Sequence, residues 1–138
     1  MQILSQSLVS YCKLILMKIF TIKFVAFYLA CFGCYTLQKS FGFSPVLSSA
    51  LIGFVGTFYW FSHDIEKSGI HAVIYSGSFA GMASAEYLSG TGHILLISLV
   101  GTSLYLWSKK HLTGFGGKLG TIAFVATVIM IILQRNLS

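Results

Sequence analysis

Long apolar runs separated by short polar segments fill this sequence, and its 138 residues include only nine basic and three acidic side chains. A water-soluble domain has about 25% charged residues, whereas the share here is 9%, against 56% hydrophobic. Too few charges are present to cover a water-facing surface, so lipid is the expected surrounding of these runs. The expected fold class is therefore all-α: a polytopic helical membrane protein with five transmembrane helices. Four would remain if the first were cleaved as a signal segment.

Residues 1–17 carry Ser and Gln between Ile, Leu and Val, the pattern of an amphipathic or disordered N-terminal segment. Met17-Lys18-Ile19-Phe20 also reads as a natural amino terminus, with the first sixteen residues an extension. Residues 18–138 form a single transmembrane helical domain, with helices at about 18–37, 45–62, 70–88, 94–107 and 119–133. Lys18 and Lys23 are expected to snorkel to the headgroups at the start of the first helix. Pro45 suits the first turn of the second, where its missing N–H costs nothing. Phe58–Phe61 form an interfacial aromatic belt. The fourth helix is short for a span of about twenty residues and is expected to borrow from both flanks.

Basic residues set the orientation. With the amino terminus inside, Lys13, Lys18, Lys23, Lys67, Lys109, Lys110 and Lys118 fall on the cytoplasmic side, and Lys39 and Arg135 fall outside. That asymmetry predicts a cytoplasmic amino terminus, and a bacterial inner membrane is the expected location. The basic residues are scattered at helix ends, which argues for topology and against nucleic acid as a partner.

The chain also carries a weak internal repeat. Leu51–Thr57 matches Leu96–Thr102 in five of seven positions, suggesting a parallel two-helix repeat.

Ile70–Glu86 is the segment most clearly made to be packed against. On a helical wheel Gly77, Gly81 and Ser84 share one face, and Tyr75, Phe79, Met82 and Glu86 the opposite one. Gly77 and Gly81 form one GxxxG, and Gly116 and Gly120 form another, a spacing that lets helix backbones approach closely. Such faces point to a homo-oligomer or a membrane-protein partner. The alternative use is a narrow polar path lined by Ser76, Ser78, Ser84 and Thr121, with hydroxyls replacing the hydration shell of a small solute or ion. Glu86 is the only carboxylate in an apolar segment, and His93 is its expected partner in a pore or gate.

Other constellations are weaker. Cys31-Phe32-Gly33-Cys34 has the CxxC form, but in an apolar helix it reads as a pair of packing residues. His63, Asp64, Glu66 and His71 fit no metal spacing, so neither a metal nor another cofactor is expected. Asp64 and Glu66 are expected to pair with Lys109 and Lys110.

Gly114–Thr121 is a glycine-rich turn with a lysine entering a helix, suited to an anion or lipid headgroup at Gly116, Gly117 and Lys118. It distantly resembles the GGKGxAT loop of bacterial membrane glycerol-phosphate acyltransferases, which implies phosphate binding. The resemblance covers about eight residues, and the chain lacks that family's other Ser/Asn/Gly and Arg segments. No catalytic residues are expected. The leading expectation is a small channel or transporter-like protein, with a non-catalytic membrane accessory subunit as the alternative.

Overall fold

The computed structural model describes residues 1–59, 69–87, 90–111, 114 and 117–137, with 59 and 84–87 described by backbone alone. It is all-α, with five helices among the described residues: α1 Gln2–Phe41, α2 Pro45–Tyr59, α3 Ile70–Tyr87, α4 Thr91–His111 and α5 Lys118–Leu137. Three of them, α1, α4 and α5, are long and apolar enough to cross a membrane.

The first helix starts sixteen residues before the expected Lys18 and passes through the boundary at residue 17. Its physical reason is in the chain: no Gly or Pro occurs before Gly33, so nothing interrupts the hydrogen-bond ladder. The helix stops at Gly42, whose φ of 66° lets its N–H reach back 3.1 Å to the Gln38 carbonyl. Ser44 then opens α2, its Oγ accepting the Leu47 N–H at 3.4 Å, and Pro45 follows as the first helical residue. The next helices begin at Pro45, Ile70, Thr91 and Lys118. Helix α4 extends in both directions to 21 residues, about 31 Å.

Contacts along the helices give their directions. Gly77 and Gly81 of α3 lie against Phe27 and Cys31 of α1, so α1 and α3 run the same way. On α2, Ser49 meets Ser78 while Gly53 meets Tyr75, an antiparallel pairing. Gly101 of α4 lies against Phe27 and Tyr105 reaches back to Gly69, so α4 is also antiparallel to α3. His93 and Leu96 at the start of α4 lie beside Met130 and Leu133 near the end of α5, so odd and even helices alternate in direction.

Helix α3 touches each of the other four. That position accounts for its composition, because a helix enclosed by other helices needs small residues for close approach more than apolar bulk for lipid. It is absent from the three strongly apolar helices for the same reason. The core around it joins Phe27 and Cys31 of α1, Val73 and Ala80 of α3, Ile94, Ile97 and Tyr105 of α4, and Ile122, Ala123 and Met130 of α5.

Candidate functional site

The two GxxxG motifs have different surroundings. A Cβ on Gly77 would come within 2.7 Å of the Phe27 carbonyl oxygen, and one on Gly81 within 2.7 Å of the Cys34 Cβ. The first motif is thus the seam between α3 and α1, and the CxxC cysteines Cys31 and Cys34 are buried packing residues of that seam. A Cβ on Gly120, by contrast, would have nothing within 4 Å, and Gly120, Thr121 and Phe124 are exposed along α5. Replacing Gly120 with alanine is expected to stabilise α5 by about 0.5–1 kcal/mol, the helix-propensity gain, read as a small rise in unfolding midpoint in detergent. Gly116 lies outside the described residues.

The serines expected to line a path along α3 are used as fasteners. Ser78 Oγ accepts from Ser49 Oγ at 3.2 Å and donates to the Tyr75 carbonyl at 2.9 Å. Ser76 Oγ donates to the Leu119 carbonyl at 3.4 Å. Both serines are buried, and each hydroxyl ties α3 to a neighbouring helix. At the end of the α1–α3 seam, Gln38 Nε2 donates to the Gly81 carbonyl at 3.1 Å. The side chains of Ser84 and Glu86, together with His63, Asp64, Glu66 and Lys67, lie outside the described residues, as do Trp60 and Phe61. The proposed pairings of Glu86 with His93 and of Asp64 and Glu66 with Lys109 and Lys110 fall there too.

Lys23 does not snorkel. Its side chain is 2% exposed and turned into the bundle, with Nζ 5.0 Å above the ring centroid of Tyr105. The negative face of the tyrosine ring offers the ammonium an attraction that is strongest when water is excluded. Tyr105 Oη in turn donates to the Gly69 carbonyl at 3.0 Å, fixing the start of α3 to α4. One end of the bundle thus joins α1, α3 and α4 through a single ring, beside the basic residues Lys109 and Lys110.

Three further polar residues lie along α4, and of these only His93 was singled out from sequence. His93 Nδ1, Thr102 Oγ1 and Ser108 Oγ are all buried without a hydrogen-bond partner among the described residues. Thr102 is fully buried and Ser108 2% exposed. Each such atom in apolar surroundings costs about 1–3 kcal/mol unless a water or solute supplies the missing partner. Together the three residues span sixteen positions of α4, about 22 Å along its axis.

Two cavities border α4 and α5. At the His93 end, a cavity of about 300 Å³ is lined by His93, Leu96, Met130, Leu133, Gln134 and Leu137. Toward the basic end a larger cavity of about 640 Å³ lies among Ala72, Phe79, Tyr105 and the first turn of α5, Gly117–Gly120 with Lys118. Thr102 lines neither cavity; it is buried in the middle of α4, half a turn around the helix from His93. The two copies of the internal repeat accordingly have different roles: Thr57 is exposed and bonded to Tyr75 Oη at 2.7 Å, whereas its counterpart Thr102 is buried and unpartnered. Only tertiary packing separates them, so no sequence signal marked Thr102.

Among the described residues no group of three His, Cys, Asp or Glu side chains could hold a metal ion. The class defined by these observations is an all-α bundle with three helices long and apolar enough to cross a membrane. The chain matches no protein-family model, and no curated protein or solved structure is significantly similar to it.

Proposed function

We propose that the chain is a five-span protein of a bacterial inner membrane, amino terminus inside, that passes a small polar solute or ion along α4. The membrane placement is supported by the alternating helix directions. They put Lys23, Lys109, Lys110 and Lys118 at one end of the bundle and Lys39 and Arg135 at the other. The single observation that carries the transport reading is the set of buried α4 polar atoms without a partner among the described residues, His93 Nδ1, Thr102 Oγ1 and Ser108 Oγ, with one cavity at the His93 end of α4 and another beside Tyr105.

Hydroxyls and a neutral imidazole can each donate and accept a hydrogen bond, so they can replace part of a solute's hydration at low cost. The packed middle of α4 suits a carrier that opens toward one side at a time better than a permanently open pore. The α3 face of Gly77 and Gly81 is occupied by α1, which moves the proposed path from α3 to α4. Lys118 lines the larger cavity and would draw an anionic solute or headgroup to its mouth.

The test is flux through liposomes holding the purified protein, measured for protons, potassium, chloride, phosphate and small neutral solutes. Thr102→Val keeps the shape and removes the hydroxyl, and is expected to lower the flux about tenfold, the equivalent of one hydrogen bond of about 1.4 kcal/mol. Absence of flux for every member of the panel removes the reading.

A second reading, a non-catalytic accessory subunit, is favoured by the open face of Gly120, Thr121 and Phe124 on α5. It predicts that Gly120→Leu abolishes co-purification of a membrane partner while leaving the bundle folded.

A further inference from the structure

The 40 residues of α1 make a helix of about 60 Å, twice the length of α4 or α5 and twice the thickness of a hydrocarbon core. Its contacts with the bundle use one side and one half only: the buried residues are Lys23, Phe27, Ala30, Cys31 and Cys34. Every residue from Met1 to Ile19 is exposed. Among them are eleven large apolar side chains: Met1, Ile3, Leu4, Leu8, Val9, Tyr11, Leu14, Ile15, Leu16, Met17 and Ile19. In a helix that runs beyond the bundle, such a face needs a cover.

The spacing of the exposed residues says what kind of cover fits. Leu4, Leu8, Tyr11, Ile15, Lys18, Ile22, Val25 and Leu29 follow one another at alternating steps of four and three, the d and a positions of four consecutive heptads. All seven apolar members are exposed, from 46% at Val25 to 69% at Leu4. The bundle-facing residues fall at b, c and f of the same frame, on the opposite side of the helix. The flanking e and g positions, Ser5, Cys12, Ile19 and Ala26 with Ser7, Leu14, Thr21 and Tyr28, carry no charge that would repel a like helix.

We infer that α1 pairs with α1 of a second copy of this chain, as a parallel, in-register coiled coil running from Leu4 to Leu29. The inference rests on the membrane placement proposed above, and not on transport. Two copies inserted in one orientation send their first helices out of the same side in the same direction, which leaves the parallel arrangement as the geometric choice. Seven large side chains per copy match the order of about 800 Å² per partner that a stable interface covers. Lys18 is the one unfavourable seam position. A lone polar residue in a seam fixes register at a cost in stability, and the long lysine stem can carry its ammonium outward to the headgroups.

Disulfide scanning in native membranes tests this. In a Cys12→Ser background, the seam variants Leu8→Cys and Ile15→Cys are expected to give at least about tenfold more oxidised dimer than their neighbours Val9→Cys and Leu16→Cys, because a disulfide needs Cβ atoms about 4 Å apart. Lys18→Leu is expected to increase the cross-linked fraction at Leu8→Cys. Equal cross-linking at all four positions overturns the inference. So does a cysteine at position 8 that neither cross-links nor reacts with a water-soluble maleimide, which would place this segment on the bilayer surface. Retention of the chain in carbonate-washed membranes checks the placement independently, so failure of pairing and failure of the membrane reading are distinguishable.

Discussion

Replacing Gly77 with alanine is expected to destabilise the bundle by on the order of 2–3 kcal/mol, although the same change in an isolated helix would stabilise it by about 1 kcal/mol. The added Cβ would stand 2.7 Å from the Phe27 carbonyl oxygen, 3.1 Å from the Ala30 Cβ and 3.2 Å from the Phe27 Cα. Two of these three neighbours are backbone of α1, so no rotamer change relieves the contact. The helices must separate, and with them goes the dispersion energy that holds helices together where lipid is as apolar as the side chains. Thermal or denaturant unfolding in detergent reads the effect. Gly77→Ala is expected to lower the midpoint, and Gly120→Ala to raise it slightly. A Gly77→Ala protein as stable as the parent would contradict the α1–α3 seam.

Phe27→Ala is expected to cost more, about 3–5 kcal/mol, the range for emptying an aromatic site in a packed interior. Phe27 is fully buried, its backbone faces Gly77 of α3, and its ring occupies the space that a side chain at position 101 of α4 would need. One residue therefore sets the spacing of three helices. Gly101→Ala alone forces the ring out of its place and is expected to be destabilising by about 1–3 kcal/mol. In the double variant the ring is gone and the new methyl enters part of the cavity. The two effects are accordingly expected to fall short of their sum by at least about 1 kcal/mol. A double-mutant cycle by reversible unfolding measures this; strict additivity would mean that Phe27 and Gly101 do not meet.

Much of the helix pattern was legible along the chain. Pro45 after Ser44 marks a helix start by capping chemistry, and the glycine-rich linkers place the starts of α4 and α5. The beginning of α1 was less legible, because Ser5, Gln6, Ser7 and Ser10 suggest a polar tail. Yet the helix needs only the absence of a breaker, and its apolar positions keep heptad spacing through that polar sprinkling. Lys23 was misplaced for a related reason. A lysine near the start of the expected helix usually reaches water, and only the approach of Tyr105, 82 residues later, turns it inward.

The roles of small and hydroxylated residues were the least legible. Gly77-xxx-Gly81 and the outward-facing Gly120 belong to one motif type, and Thr57 and Thr102 to one repeat. Ser76 and Ser78 look free to line a path until Ser49 and the Leu119 carbonyl are brought beside them.

What the amino-acid order determined by itself was local and compositional: an all-α chain with scarce charge, where most helices begin and end, and where backbones are able to approach closely. These follow from hydrogen-bond ladders, caps and side-chain size, which act over a few residues. The tertiary structure decided which glycine meets a neighbouring backbone and which meets none, which hydroxyls are fastened and which are left unpartnered along α4, and which side of α1 the bundle leaves uncovered. Those outcomes depend on residues distant in the chain meeting at ångström separations, where a single methyl group or ring determines what fits.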